Sequence, residues 1–150
     1  MKRILIYIIA LAALKLAPVK GTDIGSLHPV EVILICRDGN DVLINTDTGD
    51  WGRGTDGFSA LKNLKETTAG TIYLDTAEYL LIEEGTEEIA EQLRPNLKKT
   101  VRICMAEKKV DLKEAAAFLP VHSNLPKLKG WSSGDELLKL TVVEKRLKLS

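Results

Sequence analysis

The chain alternates β-branched runs with amphipathic stretches of about ten residues, and that rhythm limits its fold more than any other feature. Val30–Arg37 (VEVILICR) suits a buried strand. Asp38, Gly39, Asn40 and Asp41 tolerate left-handed backbone, and Val42–Asn45 resumes apolar. Strand, DG turn and strand predict a hairpin. Thr46–Gly57 (TDTGDWGRGTDG) is polar, holds four glycines and predicts a loop. Thr55 or Asp56 can cap a helix with Phe58, Leu61 and Leu64 on one face, closed by Thr67–Gly70. Thr71–Ile82 predicts a strand that Asp75-Thr76 can break in two. Glu87 and Glu88 open a second helix, where carboxylates suit the helix dipole. Its inner face is Ile89, Ala90 and Leu93, and Pro95 ends it. Thr100–Ala106 alternates as a strand. Asp111 and Glu114 start a third helix with Leu112, Ala115, Ala116 and Leu119, stopped by Pro120. Residues 121–134 predict a loop, and Leu137–Val142 with Leu147–Leu149 a terminal hairpin. The expected fold is α/β: a single mixed sheet, order ββαβαβα then a C-terminal hairpin, with helices packed on the sheet.

The N-terminus has another character. Lys2 and Arg3 precede an unbroken apolar run, Ile4–Leu14, and the first acid is Asp23. A short basic flank before an apolar stretch is an export signal. As a helix this run covers about 16 Å of a hydrocarbon core ~30 Å thick. Three readings stand: a cleaved signal peptide, an uncleaved anchor, or a buried N-terminal helix or strand. Ala10, Ala12, Ala13 and Ala17 give no clean cleavage site, and no cysteine precedes Cys36 to take a lipid. Residues 1–20 are therefore expected to be a signal peptide or N-terminal anchor, 21–29 a linker, and 30–150 one α/β domain.

Without residues 1–20 the chain has 17 bases against 21 acids. That balance argues against nucleic-acid binding, which needs a basic face. Residues 21–96 hold 15 acids and 5 bases, whereas residues 97–150 hold 6 acids and 12 bases. Either two oppositely charged halves pack together, or a dipolar surface steers a charged partner. Cys36 and Cys104 form a possible disulfide if the protein is exported, though both lie in apolar runs that suit buried free thiols.

Candidate chemistry gathers in the Thr46–Gly57 loop. Asp47-Thr48-Gly49 resembles the triplet of aspartic proteases, and Asp75-Thr76-Ala77 its variant. Such a pair would share a proton and activate water. Asn45 and Thr46, however, stand where those proteases carry apolar residues, and the flanking helices do not suit their mostly β fold. Asn45, Asp47, Asp50 and Asp56 are calcium-type ligands, but not at EF-hand spacing. The loop's glycines and Arg53 are suited to an anion, while the adjacent acids repel one. Trp51 either folds back on the sheet or contacts a partner. The binding candidates are thus Asp47, Asp50, Trp51, Arg53 and Asp56. The sequence offers no catalytic residue, metal-ligand set or cofactor motif.

With this N-terminus, Asp47–Gly54 (DTGDWGRG) and Leu64–Ile82 (LKETTAGTIYLDTAEYLLI) resemble short uncharacterised exported proteins of anaerobic Gram-positive bacteria. The resemblance implies export and no particular activity. The expected function is a non-enzymatic extracytoplasmic interaction domain, secreted or anchored at the outer face of the cytoplasmic membrane. It would bind an envelope protein or cell-surface component, with membrane contact only through residues 1–20. The alternative is a small extracytoplasmic hydrolase using Asp47 and Asp75, or a calcium-binding domain using the Thr46–Gly57 loop.

Overall fold

The computed structural model describes residues 4, 6–10, 12, 27–121 and 124–150. Most of the expected signal and linker lies outside these residues. Residues 6–10 are helical. Among the described residues no helix is long and apolar enough to cross a membrane.

Among the described residues nine strands and three α-helices follow. The strands are β1 (Leu27–Pro29), β2 (Val32–Asp38), β3 (Asp41–Thr46), β4 (Trp51–Gly54), β5 (Thr71–Tyr73), β6 (Tyr79–Ile82), β7 (Arg102–Ala106), β8 (Lys139–Val143) and β9 (Arg146–Leu149). The helices are α1 (Gly57–Thr67), α2 (Glu87–Leu93) and α3 (Leu112–Phe118). The α/β class holds, but the expected single sheet and its order do not. Seven strands form a mixed sheet in the order β4-β3-β2-β6-β7-β8-β9, and β1 and β5 form a separate parallel pair. β2, β6, β7 and β8 run parallel, with an antiparallel hairpin at each end of that row.

Two sequence features produce the difference. First, β4 lies inside the predicted glycine-rich loop. Gly52 and Gly54 face α1, and a Cβ at either would collide with the backbone of Ala60 or with Leu64 and Ser59. These glycines let the helix approach the edge strand rather than loosening a loop. Second, a 3-10 turn at Leu74–Thr76 divides the Thr71–Ile82 run. The first part pairs with β1, Leu27 opposite Thr71, and the second enters the main sheet beside β2.

Burial follows from which faces are covered. Val32–Cys36 are all buried, because helices pack on both sides of β2. β3 alternates, with Val42, Ile44 and Thr46 inward. Ile33, Ile35, Ile44, Leu80, Ile82 and Ile103 meet Leu61 and Leu64 of α1 and Ile89 and Leu93 of α2. On the opposite face Val32, Leu34, Leu81, Cys104 and Leu140 meet Ala115 and Leu119 at α3. Phe58, expected on the inner face of α1, is 56% exposed. Gly57 takes the inward place, its N–H donating to Gln92 Oε1 of α2 at 2.9 Å.

The long connection after α3 is more ordered than a loop. Leu125 belongs to one core face, and Leu128 and Trp131 to the other. In between, Ile103 N–H donates to Pro126 O and Leu128 N–H to Val101 O. The chain thus crosses beside the first half of β7, and β8 pairs with the second half through Met105 and Ala106.

Cys36 and Cys104 are free and buried, so the possible disulfide is not formed. Leu34, Leu81 and Cys104 lie in register across β2, β6 and β7. The cysteines therefore stand two strands apart, about 10 Å laterally. A disulfide needs Cα atoms within about 7 Å.

Candidate functional site

Four of the five expected binding residues are held by their own chain. Asp47 lies in the β3–β4 turn, and its Oδ1 accepts from Glu31 N–H at 3.0 Å and Val32 N–H at 3.1 Å. It therefore fixes the start of β2. Asp50 Oδ2 accepts from Thr48 Oγ1 at 2.7 Å and lies 2.8 Å from His28 Nδ1 of β1. Partial burial pushes its pKa up, but Thr48 and His28 outweigh this and hold the carboxyl below the usual range. Arg53 bridges two turn aspartates, Nε to Asp41 at 2.7 Å and Nη2 to Asp38 at 2.7 Å. Asp56 caps α1. Its Oδ1 accepts Ser59 N–H at 2.7 Å, a bond that lowers its pKa, and Ser59 Oγ accepts the Asp56 N–H in return.

Trp51 is the exception. Its side chain is 57% exposed on the edge strand, beside a shallow hollow of about 230 Å³ lined with Gly49, Asp50, Thr67 and Thr68. It does not fold back as a lid. Asp75 stands exposed in the 3-10 turn before β6, while Asp47 is committed to main-chain amides. Among the described residues no group of three or more His, Cys, Asp or Glu is placed to hold a metal ion.

The larger concavity lies where the parallel strands end. Glu83 and Glu84 follow β6, Glu107, Lys108 and Lys109 follow β7, and Lys139 opens β8. Together with Ala106 they line a crevice of about 570 Å³. Open α/β sheets bind ligands outside the carboxyl ends of their strands. Here the crevice walls carry both signs of charge. Lys109 Nζ lies 3.3 Å from Glu107 Oε2, Lys139 Nζ 4.0 Å from Glu84 and Lys108 Nζ 3.9 Å from Asp38. Glu107 Oε2 is itself buried and makes no hydrogen bond among the described residues. Glu83 Oε2 accepts the Arg37 N–H at 2.8 Å.

The nearest thiol is poorly suited to attack. Burial, then the Glu83 carboxylate, pushes the Cys36 pKa up. Among the described residues no histidine or serine lines the crevice. The arrangement presents both signs of charge to a ligand. The expectations from sequence centred on the Thr46–Gly57 loop and missed this crevice. Its signal was present, since charged pairs directly follow the strands ending at Ile82 and Ala106. No protein-family model, curated protein or solved structure matches the chain.

Proposed function

We propose that the chain is a non-enzymatic extracytoplasmic interaction domain that binds an envelope protein or cell-surface component. Its N-terminal segment delivers it to the outer face of the cytoplasmic membrane and either leaves it there or is cleaved to release it. The observation that carries this reading is the apolar N-terminus. Ile6, Tyr7, Ile8 and Ile9 are helical yet 60–73% exposed. Covering one such large apolar side chain is worth about 1.5–3 kcal/mol. A bilayer or an export machine supplies that cover. The paired carboxylates and ammoniums at the carboxyl ends of β6 and β7 support charge-based recognition of a partner.

Cell fractionation with intact mass measurement tests the first half. The protein should be found in the membrane fraction or the medium, and an unprocessed chain confined to the cytosol would refute export. Capture from envelope fractions tests the second half. A partner should be retained at low salt, released at high salt and lost on a Lys108→Glu/Lys139→Glu double substitution. Capture of nothing at low salt would refute the interaction reading.

A further inference from the structure

A second cavity lies beside the amino end of β7, and its chemistry differs from that of the crevice. It is a hollow of about 320 Å³ between the end of α2 and the 125–131 crossover. Two hydrogen bonds bring these segments together, Val101 N–H to Lys98 O and Leu128 N–H to Val101 O. Pro95, Leu97 and Leu128 give it an apolar lining. Among the described residues every other lining residue is a base.

The bases are not equivalent. Arg94 is fixed, its Nη2 donating to Trp131 O at 2.6 Å and to Glu91 Oε1 at 3.0 Å. Its Nε is buried without a hydrogen-bond partner among the described residues. Lys98 pairs with Glu78. Lys99 and Lys129 are exposed and make no ion pair among the described residues. Two uncompensated ammoniums therefore stand over an apolar lining, with a fixed guanidinium in the wall. An inorganic anion would leave the lining uncovered, and a neutral apolar molecule would leave the positive field unanswered.

From this charge and shape we infer that the hollow binds an anionic amphiphile. Its oxyanion head sits between Lys99 and Lys129, and its apolar stem lies on Pro95, Leu97 and Leu128. The site is separate from the carboxyl-end crevice and does not depend on export.

Octyl phosphate, kept below its micelle concentration, is the probe. Titration of the full chain should give saturable binding, with chemical-shift changes centred on the Lys99 and Lys129 amides. It should bind at least about tenfold tighter than inorganic phosphate, because the stem adds buried apolar area. Lys99→Glu/Lys129→Glu should weaken it by about tenfold or more while circular dichroism stays unchanged. A Leu97→Gln variant should retain inorganic phosphate binding and lose the advantage of the octyl chain. Non-saturable binding, equal affinity for inorganic phosphate, or indifference to the double charge reversal would overturn the proposal. Vesicles of phosphatidylglycerol that compete with octyl phosphate would identify a lipid as the source. Vesicles of the same lipid that leave saturable octyl phosphate binding intact would identify a soluble amphiphile. Both results support the site.

Discussion

A methyl group added at Gly52 would land on the backbone of Ala60 and Leu64. Backbone cannot rotate away as a side chain can, so α1 must shift from the sheet. Gly52→Ala should therefore destabilise the fold by about 1–3 kcal/mol, as overpacked cores do. Gly134→Ala meets nothing within 4 Å and should change stability by less than about 0.5 kcal/mol. Urea denaturation of the two variants measures the contrast, and equal midpoints would refute the close approach. Asp50 gives a prediction with a pH sign. Its folded pKa lies below the unfolded value, so its contribution is complete above about pH 4. That contribution is lost as pH falls through the lower folded value. The stability gap between the native chain and Asp50→Asn should be present at neutral pH and shrink below about pH 4. A gap independent of pH would show that the carboxylate charge is not what His28 and Thr48 hold. These residues also show why the contacts of the Thr46–Gly57 segment were not legible in the sequence. Apart from Thr48 beside Asp50, the side-chain partners named for Asp47, Asp50 and Arg53 lie 12–22 positions away. Such partners leave no trace in local spacing, whereas the α1 cap is local, and the sequence narrowed it to Thr55 or Asp56, of which Asp56 is the cap.

At the scale of elements, the β8–β9 hairpin carries a visible cost. Its two turn residues, Glu144 and Lys145, have φ of 50° and 63°. Two positive φ values in a row match the twist of a tight hairpin, but Asn-Gly adopts them with far less strain. The double substitution Glu144→Asn/Lys145→Gly should stabilise the protein by about 1–2 kcal/mol. Thermal unfolding checks it, and a lowered midpoint would show that the native side chains make contacts worth more than the strain. The three helices were legible because their signals are local. Asp111 accepts from the Lys113 and Glu114 N–H groups, and Ile89, Ala90 and Leu93 bury the expected face of α2. The DG hairpin was legible for the same reason, with Gly39 at φ 62°. β4 was not. Its glycines serve a tertiary contact with α1, and the same residues in isolation signal a loop. β1 is three residues long and exists through its pairing with β5, 44 positions downstream. No local pattern reports such a pair.

For the whole molecule, the charge asymmetry and the cysteines follow from one topology. The acidic first part supplies Asp38, Glu78 and Glu84, and the basic second part supplies their partners Lys108, Lys98 and Lys139. The uneven charge along the chain is thus partly neutralised where the two parts meet across the sheet. Each exposed pair adds at most about 1 kcal/mol, so these contacts align the parts more than they hold them together. What holds them is the apolar packing on both faces of β2, β6 and β7, and the cysteines lie within it. Burial pushes the Cys104 thiol up to about 12 and raises Cys36 as well. A thiol so placed is neither ionised near neutrality nor reachable by a reagent. The native protein should therefore resist iodoacetamide at pH 8 and take up two labels only when unfolded. Its intact mass should show two free thiols even after purification from an oxidising compartment, because β6 holds the two cysteine-bearing strands apart. Rapid labelling of the native chain would mean that the sheet opens at β2 or β7. A mass lower by two hydrogens would mean that the strand order differs from the one described.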